Sequence, residues 1–163
     1  DGLKLGNPIA NDSGILGQVV RIYDHSAEVS LLEDRDFAVP VQVARNGLRA
    51  AVFGAGRGNP LELRYLPVAS DLEVGDVLIT SGIDGIYPPG VAVAVISRIE
   101  RNADKNSSNV FCVPVAAVNR YRQALALLYD PQWDAKASTA TSKPGTPLTN
   151  TPGRRQTRAR GMQ

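Results

Sequence analysis

The chain has 163 residues, 43% of them hydrophobic, and a net charge of +2; that is room for one ordinary domain or two very small β units sharing a core. No apolar run approaches the about 18 residues needed to cross a bilayer. A single cysteine (Cys112) and a single histidine (His25) exclude an internal disulfide and argue against a structural zinc site from this chain alone. The charge is split, with 12 Lys/Arg against 15 Asp/Glu in residues 1–133 and six Lys/Arg against Asp134 alone in residues 134–163. The body therefore has no surplus of cations to exchange for phosphate counterions, which disfavours nucleic-acid binding. The first residue is Asp1 rather than Met, so the chain is expected to be cut from something longer, with any signal or anchor upstream.

Period-2 alternation dominates. Ala27-Glu28-Val29-Ser30-Leu31, then Val39, Val41 and Val43, then Leu61, Leu63 and Tyr65 each place apolar residues on one face, the pattern of half-buried strands. Pro40 lacks a backbone donor, which predicts an edge or a bulge in its strand. Val91 to Ile96 and Val110 to Val113 are apolar on both sides, as inside a small closed or two-layer β unit. Helical spacing occurs only at Val118, Tyr121, Leu125 and Leu128; a helical turn at 116–122 followed by a terminal strand is predicted. Turn residues separate these runs at Asp12-Ser13-Gly14, Asn46-Gly47, Gly54 to Pro60, Val74-Gly75-Asp76, Asp84-Gly85, Pro88-Pro89-Gly90 and Asp104 to Asn109. Seven to nine short strands so punctuated read as an all-β barrel or sandwich. After Trp133 come eight Ser/Thr, three Pro, three Gly and six Lys/Arg. Residues 134–163 are expected to be a disordered basic tail, unable to offset their ordering entropy by burial.

Candidate chemistry is sparse. Ser13 and His25, with Asp24, superficially echo a serine-hydrolase triad, but the serine precedes the only histidine, and Asn11 stands where an oxyanion loop would want glycine. Gly54-Ala55-Gly56-Arg57-Gly58 is followed by Asn59-Pro60 and an alternating strand, not by the helix that a phosphate cradle needs. The carboxylates Glu33-Asp34-Asp36 and Asp71-Glu73-Asp76 lack the spacing of an EF-hand loop and read as solvated turns. Cys112 reads as a buried small hydrophobe. Tyr23, Tyr65, Tyr87, Tyr121 and Tyr129 are scattered, a poor platform for stacking single-stranded nucleic acid. No catalytic residue, metal or cofactor is predicted. The connection Ser81 to Gly90 carries Ile83, Ile86 and Tyr87, more apolar surface than a plain loop needs, and reads either as a barrel plug or as a contact patch.

An ordered set of segments then resembles a known family. It runs through Gly14-Ile15-Leu16-Gly17-Gln18-Val19-Val20, Leu31-Leu32-Glu33-Asp34, Val39-Pro40-Val41-Gln42-Val43, Arg45-Asn46-Gly47-Leu48-Arg49 and Leu61-Glu62-Leu63-Arg64-Tyr65-Leu66-Pro67. It closes with Val74-Gly75-Asp76-Val77-Leu78-Ile79-Thr80-Ser81-Gly82 and Tyr87-Pro88-Pro89-Gly90. The set is similar to the extracytoplasmic β domain of the rod shape-determining MreC family over about residues 1–130, leaving the tail uncovered. The resemblance implies two small β-barrels of chymotrypsin-like topology without protease function, on the periplasmic face of the cytoplasmic membrane. It implies a scaffold of cell-wall elongation that binds the elongation penicillin-binding transpeptidase and MreD, reaches MreB through an upstream part, and self-associates. The membrane anchor, the coiled coil and the opening strands of the first barrel are expected to lie outside this chain, which would leave a sheet edge unpaired.

The expected domain is thus 1–133, all-β with the first barrel incomplete. Ile83, Ile86, Tyr87 and Pro88 are the first candidates for partner contact, and Arg64 and Tyr65 the second. Arg45 and Arg49, flanking a turn, read first as solvated charges and second as groups that pair with a partner's carboxylates.

Overall fold

The structure, a computed structural model, describes residues 2–67, 70–102, 107–116 and 123–132. Its strands are β1 (Pro8–Ala10), β2 (Ile15–Ile22), β3 (Ala27–Leu31), β4 (Ala38–Val43), β5 (Arg49–Phe53), β6 (Leu61–Arg64), β7 (Val77–Thr80), β8 (Ala92–Asn102), β9 (Ser107–Pro114) and β10 (Leu125–Ala126). They form two antiparallel units. One is an open four-stranded sheet in the order β10-β1-β2-β3, and the other is a closed six-stranded barrel, β4-β5-β6-β9-β8-β7, sealed by pairing of β4 with β7. The all-β reading holds, with one barrel closed and the other unit open. Most of the expected helical turn, 117–122, and residues 133–163 lie outside the described residues.

Alternation fills the barrel. Val39, Val41 and Val43 from β4, Val52 from β5, Leu61 and Leu63 from β6, and Val110 and Cys112 from β9 all point inward and are buried. Closure at six strands needs strong curvature, and β8 supplies it. Its register shifts opposite Leu78/Ile79 and again between Ile96 and Arg98. The first irregularity lets consecutive Val93 and Ala94 both face the core, which explains the apolar run; such bulges bend and twist a strand. The same burial pushes the Cys112 thiol up to about 12.

Pro40 corrects its expectation, because β4 lies between β5 and β7. Pro40 pairs with Ala51 on β5, but the ladder to β7 begins only at Val41 opposite Thr80. The missing donor therefore sits where pairing to β7 has ended, and the Pro40 carbonyl accepts from Ser81 N–H instead.

Sheet and barrel share one core: Ala10, Ile15 and Leu32 pack in the same cluster as the barrel interior. The seam is tight at Gly14, where an added Cβ would lie 2.3 Å from the carbonyl oxygen of Ala92. Backbone cannot yield as a flexible side chain would. Gly14→Ala is expected to cost about 1–3 kcal/mol by overpacking, read as a lower denaturation midpoint with unchanged slope.

Asp76 also corrects its expectation, whereas Asp71 stays exposed as a solvated turn residue. Arg45 binds Asp76 through Nε at 2.8 Å and Nη2 at 3.0 Å, and binds the Asp71 carboxylate through Nη1 at 2.8 Å. Asp76, with its side chain 6% exposed, also accepts from Glu73 N–H. The guanidinium holds both carboxyls below the ordinary range. Their depressed folded-state values add stability above the unfolded pKa of about 4, and that stability is lost as pH falls through the still lower folded values. Arg45→Ala is therefore expected to lower the midpoint at pH 7, with the gap to wild type closing in acid titrations below pH 4.

Candidate interaction surfaces

Loop 81–90 is pinned from beneath. Thr80 is fully buried; its hydroxyl donates to the Pro88 carbonyl and accepts from Val91 N–H at 2.9 Å. The Asp84 carboxylate accepts from Ile86 N–H at 3.0 Å and Tyr87 N–H at 3.3 Å, the local bonding that makes Asp a turn residue. Gly82 takes φ 70° with Pro89 packed against it, so an added Cβ would meet the proline ring at 2.9 Å.

This frame divides the predicted contact residues. Tyr87 is 2% exposed and belongs to the barrel core, so its expected role in partner contact is corrected: the ring anchors the loop. Its hydroxyl finds no partner among the described residues, and burial raises its pKa above the ordinary phenol value. Pro88 is half-buried and contributes its carbonyl. Ile83, 64% exposed, and Ile86, 40% exposed, face outward. Tyr87 thus packs into the barrel, while Ile83 and Ile86 stay on the exposed side of the loop.

The second surface is the outer face of β5, β6, β9 and β8. Register places Phe53 opposite Glu62, Glu62 opposite Phe111, and Phe111 opposite Arg98, one transverse row across four strands. Arg64 lies over the Phe53 ring at 4.8 Å and donates through Nε to Glu62 at 3.0 Å. Arg98 lies over Phe111 at 4.5 Å and pairs with Glu100. Such cation–π and cross-strand contacts stabilise a sheet face. Tyr65 ends the row edge-on to Phe53 with centroids 5.6 Å apart. It is 78% exposed and has φ 62°, a left-handed backbone that is costly for a bulky residue.

Arg45 and Arg49 separate. Arg45 is engaged internally by Asp71 and Asp76, which corrects its expected pairing with a partner; Arg49 is exposed at the start of β5 and makes no ion pair among the described residues. Phe53, Glu62, Arg98 and Phe111 were not predicted as surface partners. The alternation of Arg49, Ala51 and Phe53 would have shown the shared face, but not the register that assembles the row.

The hydrolase alternative fails on geometry. Ser13 lies in the turn before β2 and donates to Asp12, while His25 is exposed in the turn after it. The eight residues of β2 separate the two turns, roughly 25 Å of extended chain. Among the described residues no group of three or more His, Cys, Asp or Glu is placed to hold a metal ion, and no helix is long and apolar enough to cross a membrane.

Fold and surfaces together define a β-barrel module whose distinctive chemistry lies on its outside. A family model described as "Rod shape-determining protein MreC, barrel core" matches residues 1–127. The chain belongs to the MreC family. It is 37% identical over 127 residues to the cell shape-determining protein MreC of Escherichia coli K12, covering 78% of this chain and 35% of that protein. It thus spans about a third of the length of that curated relative. The crystal structure of MreC from Pseudomonas aeruginosa is 39% identical with a TM-score of 0.73, over 78% of this chain and 82% of that one. A Helicobacter pylori MreC, solved in complex with penicillin-binding protein PBP2, matches at TM-score 0.61 and 19% identity over 76% and 77% of the two chains.

The strain at Tyr65 has a measurable signature. Both Tyr65→Ala and Tyr65→Gly lose the ring contact, but only glycine relieves the backbone, so the glycine variant is expected to be the more stable by about 1 kcal/mol in paired denaturation curves.

Proposed function

We propose that this chain is a non-enzymatic scaffold module of the cell-wall elongation machinery. In this reading it sits on the periplasmic side of the cytoplasmic membrane, binds a penicillin-binding transpeptidase and self-associates. MreD is a further partner, and MreB is reached through segments outside this chain. The observation that carries the reading is the combination of MreC membership with two surfaces of exposed apolar, aromatic and arginine side chains and a geometry that keeps Ser13 and His25 apart. The H. pylori relative, solved with PBP2, supports the choice of partner.

The contact residues follow from exposure and chemistry. Ile83 and Ile86 offer apolar side chains on a pinned loop, which lowers the ordering entropy lost on binding. Tyr65, beside Arg64 and Phe53, offers the aromatic and arginine surface that dominates binding hot spots. Differential contact with the transpeptidase's conformations would let the scaffold favour one of them.

Binding of the purified chain to an elongation transpeptidase ectodomain, measured by biolayer interferometry, tests this. Ile86→Asp combined with Ile83→Asp, and separately Tyr65→Ala, are each expected to weaken binding at least about tenfold, the loss of one hot spot. Wild-type binding unchanged in both variants would remove these surfaces, and absence of wild-type binding would remove the transpeptidase as partner.

A further inference from the structure

Asn46-Gly47 is the one Asn-Gly pair in the chain. Besides forming turns, this dipeptide is chemically labile. Once the Gly47 nitrogen has lost its proton it attacks Asn46 Cγ. The new C–N bond closes a succinimide, and the Cγ–Nδ2 bond breaks to release ammonia. Water then opens the ring at either carbonyl, leaving aspartate or isoaspartate. Glycine favours the attack because no side chain shields its nitrogen. Both residues are exposed, and a Cβ added at Gly47 would meet nothing within 4 Å beyond its chain neighbours. Solvent therefore reaches the pair.

Every group that the reaction must move is nonetheless held. Gly47 N–H donates to the Val43 carbonyl at 2.8 Å, an acceptor that takes no proton from it. Asn46 Oδ1 accepts from Leu48 N–H at 3.0 Å. Asn46 Nδ2, the leaving group, donates to the Asp71 carbonyl at 2.7 Å. That same carbonyl accepts from Arg45 Nη2 at 3.2 Å, while Arg45 Nη1 holds the Asp71 carboxylate. Arg45, itself anchored on Asp76, thus fixes the acceptor to which the Asn46 carboxamide is tied.

We propose that Asn46 is a deamidation site controlled by the Arg45 clamp: the closed clamp keeps Asn46-Gly47 unreactive, and parting of the β4–β5 turn from Asp71 releases it to form the succinimide. The rate then follows the fraction of molecules in which this contact is open. The product also opposes reclosure. A carboxylate at position 46 has no N–H for the Asp71 carbonyl and sets negative charge beside it, leaving that contact unmade. Isoaspartate further lengthens the turn backbone by one carbon. Deamidation is in this way a one-directional record of opening at the turn.

The full chain and its variants are incubated in mildly alkaline buffer with and without urea. Tandem mass spectrometry of the peptide spanning Asn46 follows asparagine, aspartate and isoaspartate over time, and circular dichroism verifies each fold. Each native rate is expressed relative to the rate of the same chain in urea. Native wild type is expected to react at least about a hundredfold more slowly than in urea, as a locally protected site does. Arg45→Ala is expected to raise the native rate at least about tenfold over wild type, by freeing the Asp71 carbonyl. Asp71→Ala keeps that carbonyl but loses the carboxylate, so its rate is expected between the two; it carries the comparison if Arg45→Ala loses its fold. Arg21→Ala, which breaks an exposed ion pair with Glu28 in the open sheet, is expected to leave the native rate unchanged. Native wild type that reacts as fast as in urea overturns the protection. Folded Arg45→Ala or Asp71→Ala chains no faster than wild type overturn the clamp as its cause, as does an equal acceleration in Arg21→Ala.

Discussion

Closure of the barrel through pairing of β4 with β7 is the constraint on which the rest of the molecule depends. Six strands enclose a narrow interior, so each inward position must be filled by a side chain and each strand must curve. Valine dominates β4, and two register shifts in β8 supply the curvature. Once β4 and β7 are joined, the ends of both strands are fixed. Arg45, just beyond β4, reaches Asp76, just before β7, and Thr80 at the far end of β7 receives the returning loop through Pro88 and Val91. The open sheet then leans on the closed unit through the glycine-thin seam at Gly14.

Polar groups near the surface divide between holding the fold and remaining accessible. Asp76 and Arg45 satisfy one another, as burial of a charge requires. Arg64 and Arg98 are half committed, stacked on phenylalanines yet still open to solvent. Tyr65 is the least committed, combining exposure with an unfavourable backbone, a combination that tends to persist where surroundings or function demand it. The result is an all-β body whose core carries packing and whose rim leaves arginine and aromatic side chains open to solvent.

Much of the fold was legible because a β-strand has period two, and one buried face leaves a readable trace. Val39, Val41 and Val43 announced their direction without any knowledge of neighbours. What stayed hidden depended on pairing. Pro40 looked like an edge residue because a proline advertises its missing donor, while the point at which a neighbouring ladder stops leaves no mark in the sequence. Asp76 looked solvated because its partner, Arg45, lies on the far side of two strands. The same blindness hid the row from Phe53 to Arg98. For loop 81–90 composition announced apolar surface, but only the packing of Tyr87 against the core distinguished the anchor from the presented isoleucines. The family resemblance, by contrast, rested on the order of many short segments, which survives ignorance of any single contact.

The sealed position of Cys112 makes the molecule convenient for site-directed spectroscopy. A thiol titrating at about 12 and shut inside the barrel holds almost no nucleophilic thiolate at neutral pH. Maleimide-type reagents should pass it by in the native state. A cysteine introduced on the outside would then take up a fluorophore or spin label at one address, without first stripping the native sulfur from the core.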